Sequence, residues 1–256
     1  MLDSGKIPPN LRMLHIFNVI ADHDNMMTAT ELTDKLGWPK QSVHRLISLL
    51  RSEGYLEKHG RFLVPSKKMM GLANGILQNR AIFNLRHQVL TEVSEMTGET
   101  VNLVLPEEDG MHYVDRVDTN WHFRISLPIG THVPFHCTAS GKTYMAYMRS
   151  DQRKKFMTSL KMDAFTEQTH RTTSTLLTEL KEIKRQGFAM DNEEFYDDMV
   201  AVAVPIFDRQ GRYCAALAFH GPKSRVTREF GLSFVPSLKE ASHRISRIMF
   251  GDNTST

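Results

Sequence analysis

Between Trp38 and Tyr55 the chain sets Lys40, Gln41, Ser42, His44, Arg45 and Ser48 opposite an apolar row of Val43, Leu46, Ile47 and Leu50. The polar side chains are of the types that meet phosphates and base edges: Arg and Lys match guanine, Gln matches adenine, and Ser accepts either. A second concentration of chemistry lies farther on. A helix opening after Thr138 would offer unpaired amides to a carboxylate, and Asp191, Glu193 and Glu194 would accept from a ligand hydroxyl. A helix cap at Ser140 and a solvated acidic turn at 191–194 would use the same residues, so context has to decide. His132, His136, His220 and Cys137 are metal-ligand types, but no pair has a zinc-like repeat, and Ser140 lacks the G-x-S-x-G elbow of a nucleophile. No catalytic residue, metal or cofactor is assigned.

The elements around the first cluster turn an ordinary amphipathic face into a DNA reader. Val43, Leu46, Ile47 and Leu50 recur at i, i+3, i+4 and i+7, the spacing of a helix that buries one side. Pro39 suits its first position and Gly54 its end. Upstream, Asn10 is placed to cap a helix striped by Met13, Ile16, Phe17 and Ile20. Thr28-Ala-Thr-Glu31 is a capping box opening a second helix with Ala29, Leu32 and Leu36 on one face. Gly37 breaks the chain briefly before Pro39, giving helix, helix, tight turn and recognition helix. Tyr55–Val64 then reads as two short strands around Lys58-His59-Gly60-Arg61, the wing of a winged helix. Candidate DNA contacts are Thr28 and Thr30 at the second helix, Lys40, Gln41, Ser42, His44 and Arg45 on the reader, and Arg61 and Lys67 as phosphate clamps.

Charge follows the same division. The 256-residue chain carries only +3 in all, yet residues 35–68 hold eight Lys or Arg against Glu53 and Glu57. Residues 1–80 sum to +4 and the remainder to −1, so only the first third is directed at a polyanion. An apolar fraction of 41% suffices for two domain cores. No apolar run approaches the roughly 18–20 residues that span a bilayer, and no signal-peptide core opens the chain. Two isolated cysteines, Cys137 and Cys214, give no disulfide framework. The expectation is a cytoplasmic protein without a membrane partner.

From Ser66 a stripe of Met69, Leu72, Ala73, Ile76 and Leu77, then Ile82, Leu85, Val89, Val93 and Met96, predicts a long helical connector ended by Gly98. Its uncovered apolar surface invites dimerisation, and Gly71 and Gly75 make it either closely packed or soft. Strands follow at 101–105, 111–117 and 122–127, then helices from Ser140, at 150–160 and at 174–186. Strands at 200–207 and 213–219 and a helix over 233–250 complete the chain. The fold class is α+β: an antiparallel sheet carrying helices, behind a winged helix-turn-helix. The domains are residues 1–65 for DNA binding, 66–80 for a linker helix and 81–256 for an effector-binding domain.

Four stretches together resemble the IclR family of bacterial transcription regulators. They are Ser42-Val-His-Arg-Leu with Gly54-Tyr55; Thr97-Gly-Glu-Thr-Val with Tyr113-Val-Asp-Arg-Val; Cys137-Thr-Ala-Ser-Gly-Lys; and Gly187-Phe-Ala-Met-Asp-Asn-Glu-Glu with Ala203-Val-Pro-Ile-Phe-Asp and His220-Gly-Pro. The resemblance implies a GAF-like effector domain, dimers or tetramers on palindromic double-stranded operators, and repressors or activators answering small metabolites such as organic or aromatic acids. It places the pocket at Cys137, Ala139, Ser140, Gly141, Asp191, Glu194, Ala218 and His220. Asp198 stands where the family commonly has Gly, and His220 where a small residue such as Ser is frequent; the latter would put a donor or cation at the pocket edge. An enzyme converting a small acid in the second domain is the alternative function.

Overall fold

A computed structural model describes residues 7–23, 26–77 and 80–251. The chain divides into two units, with the break between Asn79 and Arg80.

In the first unit a short 3-10 turn, Pro9–Leu11, leads into α1 (Arg12–Ala21), then β1 (Met27–Thr28), α2 (Ala29–Leu36), α3 (Lys40–Ser52), β2 (Leu56–His59), β3 (Phe62–Pro65) and α4 (Lys67–Leu77). Asn10 does not cap α1: it lies within the 3-10 turn, and Leu11 precedes the helix without a side-chain cap. The capping box forms. The Thr28 amide donates to Glu31 Oε2 (2.7 Å), and the Glu31 amide donates to Thr28 Oγ1 (3.3 Å). Gly37 ends α2 at φ +62°, a conformation other residues adopt at a cost. Pro39 stands one place before α3 with an extended ψ of 128°, and its carbonyl accepts from Ser42 and Val43. β1, β3 and β2 form a three-stranded sheet in that order, and His59 pairs with Phe62 across the Gly60-Arg61 turn. Ile16, Met27, Leu32, Val43, Ile47, Leu56 and Leu63 make the core.

Gly71 and Gly75 sit inside α4, and a Cβ added at either would meet nothing within 4 Å. Close packing against the described residues therefore does not explain them, and each weakens helix propensity by about 1 kcal/mol. The Leu77 side chain and residues 78–79 of the expected linker lie outside the described residues.

The second unit contains α5 (Arg80–Thr97), β4 (Thr100–Pro106), β5 (Met111–Val117), β6 (His132–Val133), α6 (Ala139–Tyr147), α7 (Ser150–Ser159), α8 (Thr173–Gln186), β7 (Ala189–Asn192), β8 (Met199–Phe207), β9 (Tyr213–Pro222), α9 (Arg228–Ser233) and α10 (Val235–Phe250). Six antiparallel strands run in the order β6-β5-β4-β9-β8-β7. Helices cover both faces. Val200, Val202, Val204, Leu217 and Phe219 point to the core under α5 and α10, while Ala201, Ala203, Ala216 and Ala218 point to the core under α6 and α8. The period of two along each strand thus divides large residues from small ones.

Three expectations are corrected. Residues 122–127 form no strand; the Ile125 and Leu127 carbonyls accept from Arg116 instead of from a ladder, and His132–Val133 takes the edge. On α5, Val89 and Val93 are buried but Leu85 and Met96 are exposed, because the inward stripe runs through Leu90 and Arg86, whose Nε donates to buried Asp115. Asp191 lies within strand β7 and is wholly buried, so it is no solvated turn. Asp198 does occupy a left-handed position, at φ +61°. No helix among the described residues is long and apolar enough to cross a membrane.

Candidate functional site: an open helix face and a buried polar cluster

α3 turns Val43, Ile47 and Leu50 into the core and leaves Lys40, Gln41, His44 and Arg45 exposed. None of those four side chains has an intramolecular partner among the described residues, so each is free to meet a phosphate or a base. Ser42 is half-buried beside them. Arg61 projects from the wing with its guanidinium 5.2 Å from the Phe62 ring centroid, and Lys67 is exposed at the start of α4. Thr30 is exposed, whereas the Thr28 hydroxyl is engaged with Glu31. Neighbouring Lys68 is tied down, donating to the Glu53 carbonyl (2.8 Å) above the Tyr55 ring.

The residues expected at the effector pocket gather under α6. Cross-strand register aligns Asp191 with Ala201, Ala201 with His220, and Ala203 with Ala218. Cys137, Ala139 and the alanines share one core, and α6 begins above it. None of Cys137, Ala139, Ser140, Asp191, Glu194, Ala218 and His220 is more than 7% exposed, so together they form a buried cluster, the candidate effector chamber. Glu193 falls outside it: at φ +64° its carboxylate turns to the surface and pairs with Lys223. Thr138, not Ser140, caps α6, accepting from the Gly141 amide (3.1 Å). The first two amides of the helix, Ala139 and Ser140, have no acceptor within it. Gly141 is required by packing, because a Cβ would stand 2.4 Å from the Phe135 carbonyl oxygen.

Lys142 is the residue that the sequence reading missed. It sits in the first turn of α6, where the helix dipole disfavours a cation, and its fully buried ammonium donates to Glu179 (2.6 Å) and Glu194. Burial pulls its pKa down, but the Glu194 and Glu179 carboxylates outweigh burial and hold the ammonium protonated. His170 pairs with the second oxygen of Glu179. Two buried oxygens, Asp191 Oδ2 and Glu194 Oε2, have no hydrogen-bond partner among the described residues, although Glu194 Oε2 lies 4.0 Å from His170 Nε2.

Burial, helped by the Glu194 charge, pushes the Asp191 carboxyl up to about 8. The other Asp191 oxygen accepts from the Glu194 amide (2.8 Å). His220 is equally constrained. Its Nδ1 accepts from Asn102 Nδ2 (3.0 Å), its Nε2 donates to the Ile125 carbonyl (3.3 Å), and Asn102 Oδ1 accepts from Arg116 (3.3 Å). Burial and the Arg116 charge lower it to about 4, so it is a neutral, wired imidazole and not a cation. Burial likewise raises the Cys137 thiol, which is therefore not a thiolate nucleophile.

A model of the IclR helix-turn-helix domain matches residues 11–60, and one of the bacterial transcriptional regulator IclR C-terminal domain matches residues 74–247. The chain belongs to the IclR family of bacterial transcriptional regulators. Its similarity to a probable transcriptional regulator, SauR of Cupriavidus necator, is 32% identity over 91% of this chain and 93% of that one. The HTH-type transcriptional regulator KdgR of Escherichia coli is 29% identical over 96% of each chain. The crystal structure of the Thermotoga maritima IclR superposes with a TM-score of 0.64 at 26% identity, covering 94% of this chain and 98% of that one. This IclR-family chain is accordingly a DNA-binding transcriptional regulator, and its relatives are regulators, not enzymes.

The chamber of this IclR-family protein has a pH signature. The folded Asp191 carboxyl titrates near 8 and an unfolded one near 3.8. The folded chain therefore holds the extra proton between those values, and stability falls as pH rises through that window. Asp191→Asn removes the slope. Urea unfolding at pH 5 and pH 8 should show the variant gaining on wild type at the higher pH, by up to ~4 kcal/mol. An equal difference at both pH values would show Asp191 to be ionised throughout.

Proposed function

We propose that the chamber binds a small organic acid of a catabolic pathway and that this binding sets the affinity of the winged helix for its operator. The observation that carries the reading is a pair of buried oxygens without a hydrogen-bond partner among the described residues, Asp191 Oδ2 and Glu194 Oε2, the latter only 4.0 Å from His170 Nε2, beside a face of alanines. A buried polar atom without a partner costs about 1–3 kcal/mol, which a ligand with matching groups restores. Neutral Asp191 donates to a ligand carbonyl or carboxylate, the amides of Ala139 and Ser140 receive the same anionic end, and Glu194 Oε2 accepts from a ligand hydroxyl. Cys137, Ala218 and His220 shape the walls, and Gly141 lets α6 approach.

In this reading the regulator acts as a dimer, or a tetramer built from dimers, on a palindromic operator. Support comes from apolar surface in the first unit: Leu14, Leu49, Met70, Leu72 and Ile76 are each 45–59% exposed, and a cleft of about 300 Å³ opens among Met13, Leu14, Phe17, Leu49 and Leu72. A second copy would cover it. The effector then acts through differential affinity for two arrangements of the dimer.

A thermal-shift screen of the full chain against small hydroxy, keto and aromatic acids tests the proposal. At least one acid should raise the melting temperature of wild type, leave Asp191→Asn unshifted, and alter DNA binding. A library that stabilises nothing, or a hit that stabilises both proteins equally, would remove the chamber from consideration.

A further inference from the structure

A second group of ligand-type side chains lies at the β6 edge of the sheet, away from the chamber. His112 on β5 and His132 on β6 are register partners, so their imidazoles leave the same face, with ring centroids 4.8 Å apart and planes 11° from parallel. Both reach a single carboxylate: His112 Nδ1 lies 3.0 Å from Glu107 Oε1, and His132 Nε2 lies 2.9 Å from Glu107 Oε2. Asp109 Oδ1 is 3.7 Å from the same His132 nitrogen. One ligand atom from each of Glu107, His112 and His132 falls within 4.8 Å of the others. Two ligands of one tetrahedral zinc ion stand roughly 3.3 Å apart, given bonds of ~2.0 Å. The contacts to Glu107 are already near that spacing.

The backbone holds these residues in place. The Glu107 amide donates to the Gly110 carbonyl (2.8 Å), closing the turn between β4 and β5. Gly110 itself passes so near β6 that a Cβ would stand 2.8 Å from the Val133 carbonyl oxygen. Only glycine lets the turn carry Glu107 and Asp109 up to His132.

We propose that Glu107, His112 and His132 bind one divalent transition-metal ion of the zinc class, with Asp109 as the fourth ligand. Two imidazoles and two carboxylates are a donor set that suits zinc. The only other such cluster among the described residues, His170 with Glu179 and Glu194, already encloses the Lys142 ammonium, so its cation is supplied by the chain. A metal at the edge ties the β4–β5 turn to β6. The segment ending at β6 carries the Ile125 and Leu127 carbonyls that hold Arg116 and His220, so the ion would steady one wall of the chamber.

The test is titration of the full chain, without an affinity tag, with zinc sulfate by calorimetry, and with cobalt(II) followed by its visible absorption. Wild type should bind one zinc per chain and rise in melting temperature, with a cobalt band showing mixed nitrogen and oxygen ligation. His112→Gln, His132→Gln and Glu107→Gln should each weaken zinc at least tenfold, no less than loss of an outer hydrogen-bond partner costs a metal site. These partly exposed substitutions should leave the metal-free melting temperature within a few degrees. His170→Gln should leave zinc binding unchanged. Binding no tighter than millimolar, or binding lost with His170→Gln and kept with His132→Gln, would overturn the site.

Discussion

Lys142→Met should destabilise the second unit by about 3–5 kcal/mol at pH 8, the cost of leaving a buried charge without its partner. Methionine keeps the unbranched apolar stem and lacks only the terminal nitrogen position, so the loss is chiefly electrostatic. Glu194 keeps its backbone hydrogen bonds but loses the ammonium that compensates it, and Glu179 retains only His170. Burial already pushes the Glu194 carboxyl upward against the pull of Lys142, and without the lysine it rises further. The folded carboxylates then take up protons as pH falls, so the penalty shrinks toward pH 5. Lys142→Met with Glu194→Gln should recover more than half of the lost stability, a coupling that a double-mutant cycle reads directly. Chemical denaturation of the four proteins at both pH values decides the matter. A loss below 1 kcal/mol at pH 8, or no recovery in the double variant, would show that the Lys142–Glu194 contact does not hold the chamber together.

The DNA-binding half was legible because its signals are local. A capping box, a left-handed glycine after α2, a 3.6-residue apolar period and a two-residue hairpin turn each act within a few residues, and Thr28, Gly37, Val43 and Gly60 all serve as their spacing implies. Asn10 misled because Pro9 begins a 3-10 turn before α1, so the residue in the capping position is Leu11.

The chamber was legible in membership more than in chemistry. Strand alternation and the resemblance brought Asp191, Ala218 and His220 to one face with the start of α6, but nothing local tells how deeply a carboxyl is buried. The sequence places Asp191 as an acceptor in a turn, whereas the structure makes it a buried strand carboxyl raised to about 8. Lys142 binds partners 37 and 52 residues away, and Arg116 replaces an expected strand by taking its carbonyls. One signal was available for Lys142: a cation in the first turn of a helix, among Ala, Gly and Thr, opposes the dipole and has to be answered elsewhere. The edge histidines carry no such sign, since His112 and His132 meet only through pairing of β5 with β6.

On the proposed reading, α3 meets DNA through side chains that have no partner among the described residues. Arg45 is the strongest of these, with five donors matched to a phosphate or to guanine. Loss of one base-directed arginine costs about 1–3 kcal/mol, and in the proposed dimer each operator meets two copies, so Arg45→Ala should weaken binding at least about thirtyfold. The substitution is on the open face of α3 and should leave the melting temperature within a degree or two. The direct measurement is fluorescence anisotropy of a labelled fragment from upstream of the protein's own gene, titrated with wild type and Arg45→Ala at low and moderate salt. Wild type should bind tightly and with strong salt sensitivity, and the variant far more weakly; no binding by wild type at low salt, or equal binding by both, would show that α3 does not read DNA in this way.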